Sequence, residues 1–162
     1  MMKDTIYVID TSGFIVDIRL PPISIVTVPA VVDEIIDRNT KLRFDLLHDA
    51  GLLVDVPYKE YKDIVRSTSI STGDDTVLSN TDIDILAKAL ELSRRSTVIL
   101  ITDDYAVQNV AAILNIKYQP AATSGIKKKI KWELRCTGCG SVVRSGTECP
   151  ICASEIKRYR VK

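Results

Sequence analysis

The sequence predicts an α/β domain, a central parallel sheet flanked by helices, followed by a small C-terminal zinc ribbon. Three observations carry this. Short β-branched runs alternate with helical stretches up to residue 120, the pattern of parallel strands joined by helical crossovers. All four cysteines fall between positions 136 and 152, as two Cys-x-x-Cys pairs. Charge also divides the chain, although its net value is only +1. Residues 1–120 carry 12 Lys and Arg against 18 Asp and Glu, net −6, and residues 121–162 carry 10 against 3, net +7. The expected organisation is a domain over 1–120, a basic linker over 121–129 and a ribbon over 130–162.

The elements follow in order. Thr5-Ile6-Tyr7-Val8-Ile9 reads as a buried strand with Asp10 at its C-terminal edge. Ser12 is a candidate N-cap for a short helix that stops before Pro21-Pro22. An apolar stretch over 23–28 leads to Pro29, a residue suited to the first position of a helix over 30–37. A further helix is expected over 42–50, closed by Gly51, then a second strand over 52–56 and a helix over 58–66. Residues 67–80, rich in Ser, Thr, Gly and Asp, read as a surface loop. Ser79 caps a helix over 81–93 with an apolar stripe at 83, 86, 87 and 90. A third strand over 98–101 ends at Asp103 and Asp104, and a helix over 105–114 precedes a last strand over 116–118. No internal repeat is visible.

Apolar residues make up 46% of the chain and charged residues 27%, an ordinary globular composition. No run reaches the ~20 apolar residues needed to span a bilayer. The first residues, Met1-Met2-Lys3-Asp4-Thr5, lack the apolar core of a secretory signal. A cytoplasmic protein without a membrane partner is expected. In a reducing compartment the clustered cysteines favour a metal over disulfides.

Cys136-Thr137-Gly138-Cys139 and Cys149-Pro150-Ile151-Cys152 are two knuckles. Each aims two thiolates at a point roughly 2.3 Å from a zinc ion. Four thiolates close the tetrahedron, so the site is structural. About thirty residues have too little core to fold alone, and metal binding supplies that energy. Two redox disulfides or an iron centre are the alternatives. Lys127, Lys128, Lys129, Lys131 and Arg135 surround the ribbon with positive charge, and Trp132 and Tyr159 offer faces for base stacking. RNA is the expected ligand of this module; a solvated linker and a packed Trp are the bland reading.

Asp10, Asp103 and Asp104 stand at strand ends, Glu34 on a helix and Asp82 in a first helical turn. The carboxyl edge of a parallel sheet is where ligands sit. Carboxylates gathered there repel one another, and divalent cations remove the conflict. Mg²⁺ or Mn²⁺ activates water against a phosphodiester. Asp10, Asp82 and at least one of the adjacent Asp103 and Asp104 are the expected ligands; the residues alone do not choose between those two. The competing reading of Asp82 is a capping role beside Ser79, and that of Glu34 an exposed helical carboxylate. Thr11, Ser12 and Thr102 are candidates to orient carboxylates or water. The lone His48 sits in an amphipathic helix, and no Gly-rich phosphate loop is present.

Val8-Ile9-Asp10-Thr11-Ser12, Leu78-Ser79-Asn80-Thr81-Asp82 and Thr102-Asp103-Asp104-Tyr105-Ala106-Val107-Gln108-Asn109-Val110-Ala111 together resemble a PIN-domain nuclease. The third run, joined to a four-cysteine ribbon, looks like the Nob family of ribosome-maturation endonucleases. The resemblance covers nearly the whole chain. It implies a PIN-like fold and Mn²⁺- or Mg²⁺-dependent cleavage of single-stranded precursor small-subunit rRNA near its mature 3′ end. It also implies a pre-ribosomal particle as the setting and a KH-domain RNA-binding protein as a partner. The family's catalytic carboxylates fall on Asp10, Glu34, Asp82 and Asp103, with Asp104 as neighbour. Two alternatives stand beside this reading: a toxin-like PIN ribonuclease acting on another RNA, and a non-catalytic RNA-binding assembly factor.

Overall fold

The computed structural model describes residues 4–122 and 131–161, without the side chains of 131, 132, 160 and 161. The chain divides into two compact units, Met1–Thr123 and Ser124–Lys162.

The first unit is built on five strands: β1 (Thr5–Ile9), β2 (Ile25–Thr27), β3 (Leu53–Val54), β4 (Thr97–Ile101) and β5 (Lys117–Gln119). All neighbours pair in parallel, in the order β3-β2-β1-β4-β5. The chain moves outward from β1 on one side, then crosses back to lay β4 on the other. The strand order therefore reverses between β1 and β4. The helices are α1 (Thr11–Ile15), α2 (Pro29–Glu34), α3 (Arg38–Asp49), α4 (Lys59–Thr72), α5 (Asn80–Ser93) and α6 (Tyr105–Ile113). Val8, Ile9, Ile25, Leu86, Leu100, Val107 and Val110 belong to one continuous core. Buried on both faces, β1 and β4 read as unbroken apolar runs rather than alternating ones.

Several elements differ from the sequence reading. Residues 25–27 form a strand that the pattern alone left unassigned, short but held to β1 through Tyr7 and Val8. Asp10, not Ser12, caps α1: its carboxylate accepts from the Thr11 N–H at 2.6 Å. Helix α3 begins at Arg38, capped by the Asp37 carboxylate on the Thr40 N–H at 2.9 Å. The expected loop over 67–80 is half helix, because α4 runs to Thr72 and stops at Gly73, which has φ 77°. Within that turn-rich stretch the hydroxyls of Ser67, Thr68, Ser69, Ser71 and Thr72 donate to carbonyls three or four residues back. Those bonds satisfy the polar side chains inside the helix instead of breaking it. Ala121, expected in the linker, is buried in the core of the first unit.

The second unit is a three-stranded antiparallel sheet, β6 (Lys131–Cys136), β7 (Val142–Val143) and β8 (Ile156–Val161), in the order β7-β6-β8. Cys136 ends β6, opposite Ile156.

Candidate active site and metal centre

The register of the sheet brings the first carboxylates together. Ile9 pairs with Ile101, and the Asp10 N–H donates to the Ile101 carbonyl at 3.0 Å. Asp10 thus leaves β1 beside Thr102, the residue leaving β4. Both are buried; Asp10 is 8% exposed and Thr102 fully enclosed. The Thr102 hydroxyl donates to Asp10 Oδ2 at 2.8 Å and accepts from the Asp104 N–H at 3.2 Å. The Thr102 carbonyl accepts from Gln108 Nε2 at 2.8 Å. One hydroxyl therefore ties the ends of two neighbouring strands at the point where strand order reverses, where open parallel sheets bind ligands.

Helix α5 feeds β4, so its first turn starts at this same carboxyl edge. Ser79 and Asp82 form a reciprocal capping box there: Ser79 Oγ accepts from the Asp82 N–H at 3.1 Å, and Asp82 Oδ2 accepts from the Ser79 N–H at 2.7 Å. The capping role weighed for Asp82 is thus real, but it uses one carboxylate oxygen only. Glu34, the last residue of α2, accepts from Thr11 Oγ1 at 2.8 Å.

Burial pushes the Asp10 carboxyl above its ordinary range; the Thr102 and Thr11 hydrogen bonds pull it back, and the charges of Asp82 and Glu34 push it up again. Asp82 is raised first by burial, against its Ser79 bonds, with the charges of Asp104 and Glu34 adding to the rise. Four carboxylates from well-separated segments thus feel one another: Asp10, Glu34, Asp82 and Asp104. In the adjacent pair the two aspartates part company. Asp104 caps α6 through the Ala106 and Val107 N–H groups, and its charge bears on Asp82. Asp103 Oδ1 instead accepts from the Ala121 N–H at 2.8 Å, and its own N–H donates to Ser12 Oγ at 3.2 Å. A hexacoordinate cation that keeps waters fits such a partly occupied carboxylate set.

Other side chains fall outside the site. Asp84 pairs with Lys62 at 2.7 Å. His48 stacks on Phe44 with ring centroids 5.6 Å apart. The buried Lys88 is held by Asp55 and Glu91, each at 2.8 Å, which joins α5 to the segment after β3.

The four cysteines of the ribbon form the second candidate site. Their sulfurs lie within 4.8 Å of one another, with Cys136 and Cys152 at 3.3 Å and Cys139 and Cys149 at 3.7 Å. A tetrahedron with Zn–S bonds of 2.3 Å has edges of about 3.8 Å, so the set fits zinc. Backbone N–H groups of Gly138 and Cys139 donate to Cys136 Sγ, and that of Ile151 to Cys149 Sγ. Ser154, through its hydroxyl and N–H, brings the Cys152 thiol down to about 6, and Ser141 lowers that of Cys139 in the same way. Both favour the thiolate that a metal requires.

The two knuckles repeat one another in a way the sequence reading missed. Cys139-Gly140-Ser141 matches Cys152-Ala153-Ser154. Gly140 and Ala153 both have positive φ, 74° and 57°, and their N–H groups donate to the carbonyls of Cys136 and Cys149 respectively. The Cys136 and Cys149 N–H groups donate in turn to the carbonyls of Ser141 and Ser154. The small residue and serine after each second cysteine were the available signal.

Of the expected RNA contacts, Lys127, Lys128 and Lys129 lie outside the described residues, as do the side chains of Lys131 and Trp132. Arg135 pairs with Glu133 at 2.7 Å. Tyr159, opposite Glu133 across β6 and β8, is exposed.

Among known proteins, the family model described as the PIN domain of ribonuclease matches residues 7–92. The chain is 41% identical to an Endoribonuclease Nob1 of Archaeoglobus fulgidus over 140 residues, 86% of this chain and 82% of the relative. It is 38% identical to an Endoribonuclease Nob1 of Pyrococcus abyssi over 154 residues, 93% and 91% of the two chains. A Ribonuclease VapC1 of Thermoplasma acidophilum is 38% identical over 156 residues, 95% of this chain and 78% of the relative.

Proposed function

The chain belongs to the PIN-domain endoribonucleases, with Nob1 enzymes among its relatives, and from that premise we propose that it cuts single-stranded precursor small-subunit rRNA near its mature 3′ end, in a reaction that depends on Mn²⁺ or Mg²⁺. The observation that carries the reading is the gathering of Asp10, Glu34, Asp82 and Asp104 at the strand switch point, where burial raises Asp10 and Asp82 and the neighbouring carboxylates add to the rise. The motif resemblance to the Nob family supports the choice of RNA.

Asp10, Asp82 and Asp104 would hold the ions, with Glu34 at the rim and Asp103 positioning the chain that leads on to Ala121. Bound there, the cation supplies Lewis acidity that activates water and neutralises charge on the phosphate. Thr102 fixes Asp10 and Asp104 relative to each other, and Thr11 fixes Glu34, whose second carboxylate oxygen has no hydrogen bond among the described residues and would take a proton from the attacking water. The ribbon, with zinc in its four cysteines, would meet RNA through Arg135 and Tyr159, and the positive charge that Lys127, Lys128, Lys129 and Lys131 bring to this part of the sequence adds attraction for phosphate. A pre-ribosomal particle, a KH-domain partner and the cytoplasm are the setting this reading implies.

The test is incubation of the purified chain with precursor rRNA and Mn²⁺, followed by mapping of the cut ends. Cleavage at the small-subunit 3′ boundary is expected, and Asp10→Asn abolishes it while RNA binding survives. Undiminished cleavage by that variant would end the catalytic assignment. Replacing Cys136 and Cys139 by Ser unfolds the ribbon and weakens RNA binding; unchanged affinity would remove the ribbon from the interface. The likeness to a Ribonuclease VapC1 favours a second reading, a ribonuclease with another RNA target. Cuts in tRNA or mRNA, with precursor rRNA left intact, would select it.

A further inference from the structure

We infer that Tyr105 is a base-stacking residue that seats one unpaired nucleotide of the RNA beside the acidic edge; this rests on the endoribonuclease reading. Tyr105 is the first residue of α6 and follows directly on Asp104, so its Cα lies about 3.8 Å from that of a carboxylate of the site. It is 86% exposed, the highest value of any aromatic side chain among the described residues. At about 100° per residue, Tyr105 stands roughly 160° from Val107 and 140° from Val110, the buried stripe of the helix. Its ring adds little to the core.

Two neighbours show where this face of α6 looks. Gln108 and Asn109 lie roughly 60° and 40° to either side of Tyr105 around the axis. Gln108 Nε2 donates to the Thr102 carbonyl at the end of β4, at 2.8 Å. Asn109 Nδ2 donates to Asp74 Oδ2, at 2.7 Å, in the segment leading to Ser79 and Asp82. Tyr105 is therefore set between the strand end that carries Asp10's partner Thr102 and the segment that delivers Asp82.

The site it borders repels a polyanion, since Asp10, Glu34, Asp82 and Asp104 converge there. Stacking attracts a base without needing positive charge, and every base has a face to offer. A duplex keeps its bases inside the helix, so an aromatic at this place selects an unpaired segment.

The experiment uses the full chain and single-stranded RNA oligonucleotides with 2-aminopurine walked through the sequence, with and without Mn²⁺. Wild-type protein should quench the probe at one position, and Tyr105→Ala should lose that quench and bind about 5- to 150-fold more weakly, the range that one stacked base covers. Tyr105→Phe and Tyr105→Trp should restore both. The slope of log affinity against log salt should be the same for Tyr105→Ala and wild type, because a neutral ring releases no counterions. The melting temperature of Tyr105→Ala should match wild type. Equal quench and affinity in Tyr105→Ala would overturn the inference, as would Tyr105→Phe failing like Tyr105→Ala, which assigns the effect to the hydroxyl. Quench without cleavage by wild type sustains the stacking and sinks the nuclease reading; cleavage with no difference between wild type and Tyr105→Ala does the reverse.

Discussion

Replacing Thr102 by Val keeps shape and removes one oxygen at the centre of the site. That oxygen donates to Asp10 Oδ2 at 2.8 Å and accepts from the Asp104 N–H at 3.2 Å, and it is fully buried. Hydrogen bonds to charged groups contribute about 1.5–3 kcal/mol, and a buried partner left unsatisfied costs a similar amount. The extra methyl offsets part of this by apolar burial of about 0.8 kcal/mol. The expected net loss is about 2 kcal/mol of unfolding free energy for the metal-free protein at neutral pH. The Thr102 bond lowers the Asp10 pKa, so Thr102→Val raises it further. The acid limb of the cleavage–pH profile should move to higher pH, and Mn²⁺ affinity should fall, since an ion binds the carboxylate. The stability deficit should be complete at pH values where Asp10 is ionised and shrink as the pH falls through its raised pKa. Thr102→Ser retains the hydroxyl and should recover the acid limb and the metal affinity. Urea unfolding in EDTA, calorimetric Mn²⁺ titration and the pH–rate profile read the three effects separately. A Thr102→Val protein with wild-type stability, metal affinity and acid limb would refute the bridging role of the hydroxyl.

Three further outcomes are expected. Because Asp10 and Asp82 are raised from 3.8 by burial first and by neighbouring carboxylate charge after it, the folded state holds their protons more tightly than the unfolded one. Their contribution to metal-free stability is present below pH ~4 and lost as pH rises through the raised values; Asp10→Asn should therefore gain on wild type with rising pH in EDTA, with Mn²⁺ erasing the gain, and a pH-independent difference in urea midpoints would contradict this. Gly13→Ala drives a Cβ into Ile9 Cγ2 from within the short helix that Asp10 caps; overpacking of this kind costs about 1–3 kcal/mol, so thermal melting and cleavage should both suffer, and an unaltered melting temperature would show that α1 yields freely. Ala153→Gly relieves a left-handed residue at φ 57° in the second knuckle and should stabilise the zinc-bound ribbon by about 1 kcal/mol, seen as slower zinc release to a chelator; faster release would contradict it.

Much of this protein is written locally. The apolar runs of β1 and β4, the Ser79–Asp82 capping box and the two Cys-x-x-Cys knuckles follow from residues within a few positions of one another, and near-neighbour chemistry fixes their form. The same holds for the expectation that aspartates at strand ends and in a first helical turn mark one edge. Where that expectation lacked resolution, the missing information was spatial. Nothing in Thr102-Asp103-Asp104 tells how the adjacent carboxylates divide their hydrogen bonds; Asp103 accepts from the Ala121 N–H, 18 residues on, while Asp104 caps α6 and its charge bears on Asp82. Strand β2 is three residues long and exists because β1 offers it a ladder, not because its own sequence insists. Helix α4 absorbs a Ser/Thr-rich tail because backward hydrogen bonds satisfy the hydroxyls there. Composition and spacing determined which groups the chain possesses, while the parallel register, by setting Ile9 against Ile101, decided which of them meet. Side-chain chemistry is a property of single residues, but charge coupling and desolvation depend on neighbours 20 to 90 positions away, which only the closed tertiary fold supplies.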